Sequence, residues 1–174
     1  MTFEPLMSTD EGGIEAMSAL ATEIVREHYD PILGTAQNDY MLEKFQSVNA
    51  LREQLAHGYQ YCFVRVGDRR VGFLAFYPKE NCLYLSKFYL LKAERGKGYA
   101  RQMLGFVCQK AQEVGLSAVE LNVNKNNSAV FAYEKLGFER VRAEKIDIGA
   151  GYYMDDYVYR YTITDHGSEK RKLC

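Results

Sequence analysis

Residues Leu83 to Leu104 read LYLSKFYLLKAERGKGYARQML, and the fold turns on how that stretch is parsed. Leu83, Leu85, Phe88, Leu90 and Leu91 make an almost unbroken apolar run, the pattern of a strand buried on both faces. Arg95-Gly96-Lys97-Gly98-Tyr99-Ala100 follows as a glycine-bearing turn. Beyond it Ala100, Met103, Leu104, Val107, Ala111 and Val114 recur at three- and four-residue steps, which predicts a helix with one buried stripe.

A strand that feeds a helix through glycines makes an anion site. The first helical N–H groups have no partner within the helix, and the helix dipole adds partial positive charge there. Gly96 and Gly98 have no Cβ, so a phosphate can approach the backbone closely. Arg95 and Lys97 add long-range attraction. Each charge–dipole contact is worth roughly 0.3–1 kcal/mol, so several must converge on a polyphosphate. A plain turn with a solvated basic face fits the same six residues, and they leave both readings open. Two nucleotide signatures are excluded. The phosphate-binding loop needs Ser or Thr after its Gly-Lys pair, and here Gly98 follows Lys97. The dinucleotide fingerprint fails at its third glycine, where Arg101 stands.

Arg95-x-x-Gly98-x-Ala100 resembles the Q/R-x-x-G-x-G/A signature of the GNAT N-acetyltransferase superfamily. Asn126-x-x-Ala129-x-x-x-Tyr133-x-x-x-Gly137-Phe138 is similar to a second motif of that family, in the expected order. The resemblance covers Gln60 to Thr162 and extends less well over the N-terminal helices. It implies an α/β (α+β) GNAT fold, a central mixed, mostly antiparallel sheet flanked by helices on both faces. It also implies acetyl-CoA as cosubstrate, no metal, and a homodimer as the common assembly. Arg95, Gly96, Lys97, Gly98, Tyr99 and Ala100 would hold the pyrophosphate. Backbone groups near Leu90 would pair with the pantetheine arm, and a free N–H at Leu90 or Leu91 would face the thioester oxygen. Such a donor is worth roughly 3 kcal/mol.

By the same resemblance Asn126 bonds the pantetheine and Tyr133 protonates the departing thiolate. Read as residues alone, Asn126 is a helix cap and Tyr133 a buried aromatic. The proton transfer is sensible, since a phenol of pKa about 10 faces a thiolate of about 8.5. In GNAT proteins the segment joining the first helices often covers the acceptor pocket. Here that segment holds His28, Tyr29, Asp30 and Tyr40; read as residues alone, Tyr29 and Tyr40 simply pack. Tyr84 stands where several members keep a glutamate base, with Ser86 two residues on. No carboxylate lies between Cys82 and Ala93, so a base on this strand is not expected. A water relayed to a carboxylate elsewhere is the alternative. Asp155 and Asp156 are the candidates, pointing to opposite faces of a strand. Asp155 shares its face with Tyr153, Tyr157, Tyr159 and Tyr161, a setting that suits a cationic amine. Both aspartates also suit a solvated edge that blocks aberrant pairing.

The composition is that of one ordinary globular domain. With 174 residues, one substantial core is expected. The partition is domain 1–164 and a polar tail 165–174. The formal net charge of −1 favours neither nucleic acid nor an anionic membrane. No apolar run has membrane-spanning length and no targeting pattern opens the chain, so a cytoplasmic location is expected. Cys62, Cys82, Cys108 and Cys174 lack CxxC spacing and His28, His57 and His166 are far apart, so no metal signature is present.

Phe3 to Met7 reads as a short edge strand and Asp10 as the cap of a helix expected to end near Tyr29, because Asp30 precedes Pro31. Helices opening at Gly34-Thr35 and Ser47 follow. A hairpin comes next, Tyr59–Val66 and Val71–Tyr77 about Gly67-Asp68. Ser117–Val123, a helix ending at Gly137 and two long strands about Gly149-Ala150-Gly151 complete the order. The expected function is acetyl transfer from acetyl-CoA to a primary amine, a small molecule such as a polyamine or diamine. Direct attack in a ternary complex is expected, because no cysteine sits in a nucleophile motif. Acetylation of a protein or peptide N-terminus or lysine, and a non-catalytic CoA-binding sensor, are the alternatives.

Overall fold

A computed structural model describes residues 1–164; the tail expected at 165–174 lies outside the described residues. The elements run β1 (Thr2–Pro5), α1 (Glu11–Leu33), α2 (Thr35–Gln46), α3 (Val48–Ala56), β2 (Gln60–Val66), β3 (Arg69–Pro78), β4 (Leu83–Leu90), α4 (Tyr99–Glu113), β5 (Ala118–Asn124), α5 (Ala129–Leu136), β6 (Glu139–Gly149) and β7 (Tyr152–Thr162). Caps fall where the polar residues predict. Asp10 Oδ1 accepts from the Gly13 N–H at 2.9 Å, and Ser47 Oγ accepts from the Ala50 N–H at 3.2 Å.

Two helix expectations are corrected. The first helix does not stop at Tyr29 but continues to Leu33, with Pro31 inside it. A proline in the last turn removes one N–H, and local bonds outweigh that loss. The Asp30 carbonyl accepts from the Gly34 N–H at 3.0 Å, and the Asp30 carboxylate accepts from Asn38 Nδ2 at 2.6 Å. Val114, assigned to the buried stripe of α4, is 55% exposed, because the helix ends at Glu113.

The strands form one seven-stranded sheet in the order β1-β2-β3-β4-β5-β7-β6. All neighbours are antiparallel except β4 and β5. Ile14, Met17, Ala21 and Ile24 of α1 and Leu51 of α3 pack with Phe63, Phe73 and Ala75 on one face. Met103, Leu104, Val107 and Ala111 of α4 pack with Leu74, Phe76, Leu83, Leu85, Val119 and Leu121 on the other, and α5 joins them through Ala129, Val130, Tyr133 and Leu136. The result is a mixed α/β fold, a mostly antiparallel sheet with helices on both faces.

Two features of β4 position the site. It pairs with β5 only at Leu83↔Val119 and Tyr84↔Glu120; beyond that the strands part. It also carries an extra residue. Leu85 opposes Phe76 and Lys87 opposes Ala75, so Ser86 is a bulge. The bulge shifts the alternation, and Lys87 and Tyr89 turn to the face covered by α1, α2 and α3. The expectation of a strand buried on both faces therefore holds only for Leu83 and Leu85; Tyr84 and Ser86 to Leu90 are partly exposed because they border the gap.

Candidate active site

Two cavities flank the gap between β4 and β5. One, of about 540 Å³, is lined by Leu90, Arg95, Gly96, Gly98, Tyr99, Ala100, Asn127 and Tyr133 among others. The second, of about 570 Å³, lies toward α1–α3 and is lined by Phe45, Gln46, Tyr59, Tyr77, Tyr84, Lys87 and Asp156 among others. Tyr29, Ser86, Tyr89 and Asn122 border both. The cavities therefore meet where the sheet parts.

The glycine turn has the form an anion needs. Gly96 and Gly98 have φ of +77° and +79°, a left-handed backbone that favours glycine. A Cβ at either would meet nothing within 4 Å, so both face open space. Gly98 caps α4 with no side-chain bond, leaving the first-turn N–H groups available to a ligand. A diphosphate fits this cradle. Lys97 does not line the cavity; its Nζ pairs with buried Glu94 Oε2 at 2.9 Å, and Arg69 pairs with the same carboxylate at 3.0 Å. Lys97 thus braces the turn and adds only long-range charge.

Arg95 reaches across the cleft mouth. Its Nε donates to the Leu90 carbonyl at 3.2 Å and its Nη1 to His28 Nδ1 at 3.4 Å. With Nδ1 accepting, His28 Nε2 donates to Asn127 Oδ1 at 3.0 Å. That network fixes a neutral imidazole, and burial, then the Arg95 charge, holds its pKa below the usual histidine value. Asn127 Oδ1 also accepts from the Ala129 N–H at 2.9 Å, and Asn127 Nδ2 donates to the Tyr29 hydroxyl at 3.3 Å. Asn127 is buried and caps α5. Asn126, the residue taken from the motif, is exposed and borders neither cavity. The Leu91 N–H, one candidate for the thioester oxygen, donates to the Val71 carbonyl at 2.9 Å and is not free.

Tyr133 lines the first cavity from α5, with its ring 6.2 Å from Phe88 and 5.7 Å from Phe138. Its hydroxyl has no hydrogen-bond partner among the described residues. Burial raises its pKa well beyond the ordinary phenol value, so the group stays protonated until a strong base meets it.

Asp156 is 3% exposed and lines the second cavity. Burial pushes its carboxyl up to about 6, against a hydrogen bond from Asn122 that lowers it. Asp155 points the other way, borders neither cavity and pairs with Lys125 at 2.5 Å, so its carboxylate is engaged at the strand surface. Tyr84 borders the second cavity and donates to Asn122 Oδ1 at 3.1 Å. Tyr29 accepts from the Tyr89 hydroxyl at 3.5 Å at the junction. Tyr40 borders neither cavity and donates to the Ile148 carbonyl at 2.6 Å, a tie between α2 and β6. Burial raises the Cys62 and Cys108 thiols to about 11, which leaves them protonated and poor nucleophiles. Lys87, Tyr89 and Asn122 escape sequence reasoning because only the bulge and the parting strands bring them together. The two adjacent asparagines after Asn124-Lys125 carry a signal for Asn127, but not a choice between it and Asn126.

Residues 27–152 match the family model described as acetyltransferase (GNAT) domain. The chain belongs to that family. A segment of 64 residues, 37% of the chain, is 36% identical to the [ribosomal protein bS18]-alanine N-acetyltransferase of Haemophilus influenzae, and spans 40% of that relative's length. The fold is shared with the PaiA N-acetyltransferase of Thermoplasma acidophilum, whose crystal structure contains coenzyme A, at TM-score 0.74 and 18% identity over 93% of this chain and 99% of that one. It is also shared with the ribosomal-protein-alanine N-acetyltransferase of Brucella melitensis, at TM-score 0.64 and 17% identity over 94% and 100% of the two chains. Among the described residues no helix is long and apolar enough to cross a membrane.

Proposed function

We propose that the protein is an N-acetyltransferase that moves the acetyl group of acetyl-CoA to a primary amine by direct attack. The observation that carries this is the junction of the two cavities at Tyr29, Ser86, Tyr89 and Asn122, with the glycine turn on one side and Asp156 on the other. The Arg95–Ala100 turn binds the pyrophosphate, and the parted edge of β4 near Leu90 carries the pantetheine. The amine enters from the second cavity and loses a proton toward Asp156, directly or through water. Its nitrogen then bonds to the thioester carbon, the C–S bond breaks, and Tyr133 protonates the sulfur. Acetyl-CoA titration followed by a thiol-release assay over a panel of amines tests this. Binding with amine-dependent release of CoA is the expected result; no binding overturns it.

The acceptor is taken to be a small molecule, because the second cavity is bounded by α1, α2, β6 and β7 on several sides. A peptide N-terminus is the second reading, favoured by the segment shared with the Haemophilus influenzae enzyme. A CoA-binding sensor without turnover is distinguished by Tyr133→Phe, which removes the acid but no part of the turn.

A further inference from the structure

The second cavity contains two unpaired opposite charges. Its charged lining residues are Lys44, Glu53, Lys87 and Asp156. Lys44 donates to the Ile148 carbonyl and Glu53 is exposed, so both are accounted for. Lys87 and Asp156 are different. The Ser86 bulge turns Lys87 toward the cavity, where its Nζ lies 5.7 Å from the Phe45 ring centroid. It forms no ion pair or hydrogen bond among the described residues. Asp156 lies across the cavity on β7, beside Asn124 and Glu144 in the sheet register. The charges around it are Asp155, Glu144 and Lys125, not Lys87. Gln46 Oε1, buried and without a partner, lines the same space and lacks a donor.

An unpaired ammonium in a largely aromatic cavity is costly, and burial lowers the Lys87 pKa to about 8; it still carries its charge at neutral pH, and an anionic ligand group recovers that cost. We infer that the acceptor is an amphoteric amine, its amino group directed to Asp156 and an anionic group, most simply a carboxylate, received by Lys87. A diamine or polyamine places its second cation beside Lys87 and is disfavoured, which replaces the acceptor expected from sequence. This inference rests on the acetyl-transfer reading above.

The test is a matched series of linear acceptors: ω-amino carboxylates, with the monoamine and diamine of the same length. The best ω-amino carboxylate should exceed its matched diamine in kcat/KM by about tenfold or more, the scale of one charge-assisted hydrogen bond. In Lys87→Met, a swap of similar volume, the ratio of carboxylate to monoamine should fall to about one. In Lys87→Glu the order should reverse in favour of the diamine. Wild-type preference for diamines, or a ratio unchanged in Lys87→Met, overturns the inference. If no amine is turned over while acetyl-CoA binds, acetyl transfer itself has failed. Calorimetric titration of the ω-amino carboxylate into the acetyl-CoA complex of wild type and Lys87→Met then reads the Lys87 contact directly; equal affinities overturn it.

Discussion

The Tyr84 hydroxyl donates to Asn122 Oδ1 at 3.1 Å, bridging β4 and β5 just past the last rung at which they pair, Tyr84↔Glu120. Asn122 in turn donates through Nδ2 to Glu144 Oε2 at 3.3 Å and borders both cavities. This side-chain bridge replaces the missing backbone ladder. It sets how far the strands part, and so the width of the passage between cofactor and acceptor.

Tyr84→Phe removes that bridge and keeps the ring. One neutral hydrogen bond is worth about 0.5–1.5 kcal/mol net, so stability should fall by about 1 kcal/mol. Urea unfolding measures it. The acceptor KM should rise more than the acetyl-CoA KM, because Tyr84 lines only the second cavity. Equal changes in both would remove Tyr84 from the acceptor side.

Gly98→Glu tests the turn. The new side chain points into open space at the α4 N-terminus and carries a charge that repels a diphosphate. Acetyl-CoA affinity should fall at least about tenfold by calorimetry. A non-glycine residue at φ +79° also costs about 1–3 kcal/mol. Gly98→Ala carries that strain without the charge and serves as the control. If Gly98→Ala loses as much affinity as Gly98→Glu, backbone strain and not repulsion is the cause.

The strand–turn–helix at Leu83–Leu104 was legible because its signals are local: an apolar run, glycines at positive φ, and a three-four periodicity. Tyr133, reached through the family resemblance, lines the first cavity. The acceptor side was not legible. A single extra residue at Ser86 reverses which side chains of β4 face which layer, and no periodicity reveals a bulge. Strand alternation puts Asp155 and Asp156 on opposite faces, but which face carries the cavity depends on β5 and β6 packing on either side of β7. Pro31 misled for a related reason. Its helix-ending tendency is local, and the bonds made by Asp30 to Gly34 and Asn38 overrode it.

Tyr133→Phe separates enzyme from sensor. The ring contacts with Phe88 and Phe138 survive, and the hydroxyl that is lost has no hydrogen-bond partner among the described residues, so stability should hold. Loss of a general acid typically costs about 100-fold or more in turnover. We expect a fall in kcat of that order with acetyl-CoA affinity within about twofold of wild type. Unchanged kcat would mean that solvent, not Tyr133, protonates the thiolate.

Asp156 predicts a pH dependence of both rate and stability. A carboxyl with an apparent pKa of about 6 is a proton acceptor only above that pH. At fixed acceptor, kcat/KM should therefore rise through about pH 6, and Asp156→Asn should lower the rate and abolish that limb. For stability the sign is the reverse of the usual paired aspartate. Its native pKa lies above the ordinary value of 3.8, so the folded state binds the proton more tightly than the unfolded chain. Stability contributed by this group is present below about pH 4 and is lost as pH rises through about 6. Asp156→Asn is neutral throughout and escapes the loss, so its melting temperature relative to wild type should be higher at pH 7.5 than at pH 4.5. A difference that does not vary with pH would mean the carboxyl is solvated, and the base would then have to be sought elsewhere in the cavity.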